Sequence, residues 1–314
     1  VPDAQMSLTA IIAGQGALPG LLAGALAARG ERYLVAEMEG FPSTVPGVAP
    51  VRFRIERLVP FLDHLAREGV SRVVLAGAVR RPKLEPELFD ARTATLMPRL
   101  LKAMQSGDDA ALREVIAIFE DWDFTVAGAD EILPDLLPPA GTLTQASPGA
   151  EVENDAALGE ATVAEMGRAD VGQACVVRAG LVVAREGPEG TDAMLAALLP
   201  PGGEGVSGAV PLTWAMAAVG GMIAEAADWL SNGRPGEATA PAGGILFKAP
   251  KPGQDRRADL PVIGVVTALR AVEAGLDGIV IEAGGVMVID PPGVVDLLDR
   301  RGMFLWVRPR GAEA

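Results

Sequence analysis

The sequence is poor in the side chains from which many catalytic centres are built, with one histidine, His64, and one cysteine, Cys175, in 314 residues. One imidazole excludes a zinc site made of several histidines, and a Ser-His-Asp triad would have to use that ring. His64 lies in a helical pattern that ends before Gly69, so we predict a solvated helix face without a catalytic role. One cysteine excludes an intrachain disulfide, and the apolar run around Cys175 predicts a buried, inert thiol in a reducing compartment.

Positive charge is also scarce, because 27 Lys and Arg residues are outnumbered by 41 Asp and Glu residues, a net charge of -14. Such an acidic chain repels the phosphates of nucleic acids and of anionic membranes, and no basic patch stands out, so we predict no nucleic-acid partner. The first residues lack the basic and apolar regions of a signal peptide, and the predicted location is the cytoplasm.

Hydrophobic residues make up 49% of the chain, enough for packed cores, and 314 residues are enough for two domains. In the first half, short apolar runs alternate with helical patterns, which predicts a parallel sheet with helices on both faces. The predicted strands are 8–13, 32–36, 72–77 and 124–127, and the predicted helices are 18–29, 55–67, 91–104, 109–119 and 131–137.

A segment rich in proline, glycine, serine and threonine, 138–149, predicts the boundary between a nucleotide-binding domain, 1–140, and a C-terminal domain, 150–314. The second half has a predicted hairpin at 174–178 and 181–185, with later strands and helices between 245 and 307. The predicted fold class is therefore α/β, with two domains that each hold a mainly parallel or mixed sheet with flanking helices. The active site is expected in the cleft between the domains.

The most informative stretch is 248–264, here called the charged loop. Three prolines make it rigid and keep it out of a helix or a paired central strand. It carries four cations, two carboxylates and an amide, namely Lys248, Lys251, Arg256, Arg257, Asp255, Asp259 and Gln254. Cations can hold a phosphate and a carboxylate can position a metal ion or a water, so the composition favours a phosphate-handling site over an exposed, charge-balanced surface loop.

A second candidate site is Gly14-Gln15-Gly16, which follows the first predicted strand and precedes a helix. That arrangement can bring backbone N–H groups and a helix N-terminus to a phosphate. The third glycine of the dinucleotide fingerprint is replaced by Pro19, so a nicotinamide oxidoreductase is only weakly indicated, even with Glu37 ending the next strand.

For each of two further groups of charged residues, the sequence allows two interpretations. Arg80 and Arg81 follow the strand at 72–77, where they could bind a phosphate or the uracil-ribose of a nucleotide, or could be solvated. Acids at 186, 189 and 192 lie on a glycine-rich turn, where they could share a divalent cation or could cap the following helix.

Three separated motifs together resemble the UDP-2,3-diacylglucosamine pyrophosphatase family of the lipid A pathway, of the LpxI type. They are the charged loop, the turn Glu189-Gly190-Thr191-Asp192, and Gly14-Gln15-Gly16-Ala17-Leu18-Pro19. The resemblance implies hydrolysis of UDP-2,3-diacylglucosamine to 2,3-diacylglucosamine 1-phosphate and UMP. It implies an acylated UDP-sugar as the substrate and transient contact with the inner membrane face.

The resemblance also assigns roles to individual residues. It implies that Asp255 is the key acid and metal ligand and that Lys248 assists it as a catalytic residue. The expected substrate-binding residues are Gly14, Gln15, Gly16, Arg80, Arg81, Thr191, Asp192, Lys251, Gln254 and Arg256. One histidine leaves oxygen ligands, which point to magnesium or manganese rather than zinc, and the resemblance implies Mg²⁺.

The segment at about 205–238 departs from the family pattern. Its apolar residues recur at helical spacing, at Leu212, Met216, Val219, Ile223, Ala226 and Leu230. Four readings stay open: a core helix, a self-association helix that would form a homodimer, a surface for acyl chains or the membrane, and an insertion without its own function. For the whole chain, the alternative to an enzyme is a non-catalytic protein that binds a nucleotide sugar or lipid precursor.

Overall fold

A computed structural model describes residues 8–79, 82–199 and 243–310. Contacts divide these residues into two compact units. The first unit comprises the described residues up to Pro134 together with Asp255–Asp259. The second comprises the remaining described residues from Asp135 onward. Each unit is an α/β structure, which confirms the predicted fold class. The domain bounds 1–140 and 150–314, and the position of an active site in a cleft, stay predictions.

The first unit contains a five-stranded sheet with the strand order β3-β2-β1-β4-β5, in which every neighbouring pair is parallel. The strands are β1 Leu8–Ala13, β2 Tyr33–Met38, β3 Val51–Phe53, β4 Val70–Ala76 and β5 Thr125–Ala127. In β1, five of the six residues are buried, as expected of a central parallel strand covered on both faces.

Helices connect these strands, and their apolar faces form the core of the unit. They are α1 Leu18–Ala28, α2 Leu58–Arg67, α3 Ala91–Gln105, α4 Asp108–Asp121 and α5 Ala129–Ile132. Three side chains of α2 that lie on one helical face, Leu58, Leu62 and Leu65, pack with Val73 of β4. Ala258, far along the chain, packs against the same core.

The second unit contains a six-stranded mixed sheet with the strand order β6-β13-β11-β9-β7-β8. Its central strands β9, β11 and β13 are parallel, whereas β6, β7 and β8 pair in the antiparallel sense. The strands are β6 Gly141–Thr142, β7 Ala174–Arg178, β8 Leu181–Arg185, β9 Ile245–Lys248, β11 Gly278–Glu282 and β13 Phe304–Arg308. A separate parallel pair joins β10 Val262–Ile263 to β12 Met287–Val288.

The central strands of this mixed sheet are apolar and buried on both faces, whereas the edge strands β6 and β8 are more exposed. Alternate residues of β9 face different clusters, since Leu246 packs in one and Phe247 in the other. The cluster that holds Phe247 also takes Ala156 and Val163 of α6, and Gly159 lets this helix approach the Phe247 ring. The helices of the unit are α6 Val152–Arg168, α7 Thr191–Ala196, α8 Val265–Glu273 and α9 Pro291–Arg300. Packing on both faces places β9 and its last residue, Lys248, in the middle of the unit.

Two predicted helices in the first half are interrupted in the structure. The helix predicted at 55–67 is a 3-10 turn, Ile55–Arg57, followed by α2, which begins at Leu58. The helix predicted at 131–137 is α5 followed by a 3-10 turn that begins at Pro134, because proline has no N–H to continue a helix. Within the described residues, no helix is both long and apolar enough to cross a membrane.

Candidate functional site

The charged loop begins at the end of a buried central strand. Lys248 is the last residue of β9, and its side chain is buried, with the residue only 7% exposed. A lysine buried to this extent must have partners for its ammonium group. Its Nζ donates a hydrogen bond of 2.7 Å to the hydroxyl of Thr191, the first residue of α7.

The hydroxyl of Thr191 in turn connects Lys248 to a buried acid. Thr191 Oγ1 donates a hydrogen bond of 2.6 Å to Oε1 of Glu186, and Glu186 Oε2 accepts one of 2.6 Å from the backbone N–H of Gln173. Glu186 and Thr191 are 8% and 7% exposed. The helix α7 has Gly190 as its N-cap and no side-chain cap, so the predicted alternative in which an acid of this turn caps the helix is wrong.

Asp192 follows Thr191 at an exposed position of α7. Loss of hydration raises the pKa of its carboxyl, and the charges of Lys248 and Arg270 oppose that change. Among the described residues, no three acidic, histidine or cysteine side chains are grouped as a metal cage. The acids at 186, 189 and 192 are therefore not grouped as a cage of three carboxylates.

The part of the charged loop that belongs to the second unit is held by close backbone packing. A Cβ on Gly167 of α6 would lie 2.6 Å from Pro252 Cδ and 3.1 Å from Lys251 Cα, so only glycine permits this approach. On another side, a Cβ on Gly285 would lie 2.8 Å from the ring of Pro250. The rigid loop predicted from its prolines is therefore fixed against two neighbouring segments.

Two predicted substrate-binding residues of this loop have partners inside the protein. Lys251 Nζ forms an ion pair of 2.7 Å with Asp170, and the lysine side chain is only 10% exposed. Gln254 is buried, and its side-chain oxygen accepts a hydrogen bond of 3.0 Å from the backbone N–H of Lys251. These contacts tighten the turn between the two residues. Arg256 lies in the same loop at a partly buried position.

Asp255, the predicted catalytic acid, belongs to the first unit by its contacts. Both of its carboxylate oxygens accept hydrogen bonds from the guanidinium of Arg257, at 3.0 Å to Oδ1 and 2.7 Å to Oδ2. These bonds hold the pKa of Asp255 below its usual range, with a smaller contribution from Arg113. Arg257 also forms an ion pair of 2.6 Å with Glu120 of α4. The arrangement keeps Asp255 ionised at neutral pH.

The Gly14-Gln15-Gly16 turn is joined to the turn after β4. Gln15 and Ala78 exchange two backbone hydrogen bonds of 2.9 and 2.8 Å, and the N–H of Gly14 donates to Ala76. A Cβ on Gly14 or on Gly77 would lie 2.6 Å from a carbonyl oxygen of the other turn. The N–H groups of Gly14 and Gln15 therefore form hydrogen bonds within the protein, and the lack of a Cβ at Gly14 and Gly77 allows the two turns to approach each other. Arg80 and Arg81, and the segment 205–238, lie outside the described residues.

Several other side chains named from the sequence have structural roles. Cys175 is fully buried in β7, which confirms that part of the prediction, and its inertness stays a prediction. His64 lies on α2 with its Nδ1 4.0 Å from Glu68, in agreement with a helix-surface position. The oxygens of Glu37 accept hydrogen bonds from Ser43 and Arg52. Glu186, the first residue of the turn between β8 and α7, is not among the predicted catalytic and substrate-binding residues.

Comparison with known proteins matches the chain to two family descriptions. Residues 8–136 match the "LpxI N-terminal domain", and residues 139–206 and 221–306 match the "LpxI C-terminal domain". The interruption between 206 and 221 falls inside the segment that the sequence singles out as atypical. A curated relative from Caulobacter vibrioides is named UDP-2,3-diacylglucosamine pyrophosphatase LpxI. It is 37% identical over 301 residues, which cover 94% of this chain and 95% of the relative.

Proposed function

The chain belongs to the LpxI family, and from this premise we propose that it hydrolyses UDP-2,3-diacylglucosamine to 2,3-diacylglucosamine 1-phosphate and UMP. The substrate and reaction type come from the name of the Caulobacter relative. The observation in this chain that carries the proposal is the buried ammonium of Lys248, held on Thr191 at the start of the charged loop.

The ammonium of Lys248 suits the charge demands of diphosphate hydrolysis. Water attacks one phosphorus, the bond from that phosphorus to the bridging oxygen breaks, and negative charge grows on the departing phosphate. A positive charge that is already oriented in a buried site stabilises this change more strongly than a solvated charge does. Lys251, whose charge is paired with Asp170, contributes less by the same reasoning.

Asp255 is proposed to orient the attacking water. An ionised carboxylate can accept a hydrogen bond from that water and so aim its oxygen at the phosphorus. Arg257 keeps the Asp255 carboxylate ionised and fixes its plane with two hydrogen bonds. By family analogy, the phosphorus attacked is the one on the sugar side, so that UMP leaves.

Magnesium is proposed as the metal, with Asp255 as its protein ligand. Mg²⁺ is commonly held by one or two carboxylates together with waters and substrate phosphates, so a single acid without a cage fits it. Oδ1 of Asp255 accepts two hydrogen bonds from Arg257, one from its backbone N–H and one from Nε, whereas Oδ2 accepts one and has a second lone pair for an ion. When bound, the ion would neutralise phosphate charge. Exhaustive chelation should abolish turnover and added Mg²⁺ should restore it, whereas full activity in chelator would remove the metal from the proposal.

The direct test is release of UMP from UDP-2,3-diacylglucosamine by the wild-type chain and by Asp255→Asn. We expect the variant to lose at least ~100-fold in kcat while its KM changes little, because the lost charge acts mainly in the transition state. Asp121→Asn is the matched control, since this exposed acid pairs with Arg99 elsewhere in the first unit. Near-normal turnover by Asp255→Asn would refute the assignment.

The second candidate function is non-catalytic binding of a nucleotide sugar or lipid precursor. It is favoured by one observation, the hydrogen bonds from Arg257 to both oxygens of Asp255, an arrangement that a purely structural ion pair also has. The two functions separate in one experiment. A binding protein would retain the intact diphosphate after long incubation with magnesium, whereas the proposed enzyme would convert it to two monophosphates.

We further propose that the reaction takes place in the cytoplasm, with transient contact with the inner membrane face. A diacylated sugar prefers a lipid leaflet to water, so an enzyme that acts on it must reach that surface. Co-sedimentation of the chain with substrate-loaded vesicles, compared with vesicles lacking substrate, would test this contact. A homodimer through the segment 205–238 stays a prediction from the sequence.

A further inference from the structure

We infer that Glu186 is a positioning residue for the proposed diphosphate chemistry, acting through the Thr191 hydroxyl on the ammonium of Lys248. The inference rests on the proposed function and extends it to a residue outside the predicted site. It is carried by the chain of two hydrogen bonds, 2.7 Å from Lys248 to Thr191 and 2.6 Å from Thr191 to Glu186.

The direction of these hydrogen bonds follows from the chemistry of the three groups. An ammonium can only donate, so Thr191 Oγ1 accepts from Lys248. The hydroxyl has a single proton, which is then donated to the Glu186 carboxylate. Glu186 therefore polarises the hydroxyl towards itself and makes its oxygen a better acceptor for the lysine. While this arrangement persists, Thr191 has no proton to offer a phosphate oxygen.

Glu186 is anchored on a strand of the sheet. Its backbone N–H donates a hydrogen bond of 2.9 Å to Ala174 O, and its Oε2 accepts one of 2.6 Å from Gln173 N–H. Gly172, with φ +65°, passes so close that a Cβ there would lie 2.9 Å from Glu186 Cβ. The backbone at the start of β7 holds Glu186, Glu186 holds the Thr191 hydroxyl, and this hydroxyl holds the ammonium of Lys248. The position of the ammonium therefore depends on the sheet as well as on the short helix that begins at Thr191.

The burial of the three residues explains why this anchoring matters. Lys248, Thr191 and Glu186 are each less than a tenth exposed, so water cannot replace a lost partner at low cost. Lysine is a flexible point charge on four methylene groups, and its head group goes where its acceptors are. Moving the acceptor would move the charge away from the place where the reaction needs it.

The test compares Thr191→Val, which is nearly isosteric but lacks the hydroxyl, with Thr191→Ser, which keeps it. Glu186→Gln keeps the shape of the acid but removes its charge. Its NH₂ group must then face either the hydroxyl of Thr191 or the N–H of Gln173, so one of the two hydrogen bonds is lost or reversed. Thr162→Val and Asp155→Asn are the matched controls in the same unit. They change a buried hydroxyl that donates to the backbone of Leu158 and a buried carboxylate that accepts from the backbone N–H of Gly180.

We expect Thr191→Val and Glu186→Gln each to lower kcat by about 10- to 100-fold, with KM within about threefold of the wild type. Thr191→Ser should keep most of the activity. The double variant Thr191→Val/Glu186→Gln should have about the same kcat as the less active of the two single variants, because both changes break one chain of contacts. The controls should retain wild-type kcat. A merely structural role would lower the melting temperature of the variants without changing kcat per folded molecule.

Each contrary result has a definite meaning. Wild-type kinetics in Glu186→Gln, or equal losses in Asp155→Asn, would overturn the positioning role while leaving the proposed function intact. If Glu186→Gln does not fold, the difference in kcat between Thr191→Val and Thr191→Ser decides, and equal kcat values overturn the inference. A wild-type chain that releases no UMP would instead overturn the proposed function, together with the role built on it.

Discussion

At the scale of single residues, burial sets the reactivity of Cys175. Burial in β7 removes water from the thiol and raises its pKa to about 12. The positive charge of Arg185 acts in the opposite direction and has a smaller effect. The nucleophilic thiolate is therefore almost absent at neutral pH. We expect no modification by a thiol reagent at pH 8 in the native chain and complete modification in denaturant. Rapid labelling of the native chain would show that the strand opens or that the thiol is exposed.

Ionisation of the Asp192 carboxyl is less favourable in the folded protein than in the unfolded chain. Because loss of hydration raises the pKa of the folded carboxyl, the unfolded chain ionises first as the pH rises. The carboxyl thus makes no difference to stability below the unfolded pKa of about 3.9. It opposes folding above the raised folded pKa, although solvent at this exposed position keeps the effect small.

Asp192→Asn should therefore melt at the same temperature as the wild type near pH 3 and at an equal or slightly higher temperature at pH 7. Thermal unfolding followed by circular dichroism at both pH values measures the difference. If Asp192 binds substrate as predicted, the same variant should lose activity at pH 7, so that stability and activity change in opposite directions. A lower melting temperature at pH 7 would contradict the raised pKa.

At the scale of elements, Gly167 of α6 controls how closely the charged loop approaches this helix. An added methyl group would meet the backbone at Lys251 and the ring of Pro252, neither of which can rotate away. We expect Gly167→Ala to destabilise the chain by about 1–3 kcal/mol and to lower kcat, because the loop must shift. Chemical unfolding and UMP release measure the two effects.

The control for that prediction is Gly24, which lies in the middle of α1 at an exposed position with open space around it. There alanine should stabilise the chain by about 0.5–1 kcal/mol, since it favours the helix and meets nothing. Both glycines lie in α-helices, but only Gly167 has backbone and ring atoms of another segment close to it. Equal effects of the two substitutions would refute the argument from close packing.

The elements themselves were largely predictable from sequence pattern. The apolar run at 8–13 is the strand Leu8–Ala13, and the hairpin predicted at 174–178 and 181–185 has those bounds in the structure. Continuous apolar runs work well as a signal because the central strands of both sheets are covered on both faces. The prediction was wrong where a proline interrupts a helical pattern, as at Pro134.

The contacts of the candidate site were much less predictable. Lys248 and Thr191 lie 57 residues apart, and no local pattern records that their side chains meet. The sequence predicts metal ligands or helix caps for the acids of the turn at 186–192, because both are common uses of such a turn. Only the sheet order, with β9 beside β7, brings Glu186 and Lys248 within reach of one hydroxyl. The pattern at Gly14 likewise predicts a phosphate site, and its close packing against the turn at Gly77 has no signal in the local sequence.

At the scale of the whole molecule, the first unit is discontinuous along the chain. Asp255–Asp259 belongs to it, with Ala258 packed on its core and Arg257 paired with Glu120. We expect a fragment of residues 1–140 to fold less stably than the same residues do in the intact chain, because it lacks these contacts. Hydrogen exchange of β1 and β4 in both forms measures this, and identical protection would contradict it.

That discontinuity has a consequence for how the protein is made. A ribosome completes residues 8–134 long before it reaches Asp255–Asp259, so the first unit cannot form all of its contacts until the later segment has been synthesised. The piece that arrives late carries the proposed catalytic acid. A prematurely terminated polypeptide that ends before this point would therefore be unable to cleave the diphosphate, whatever it binds.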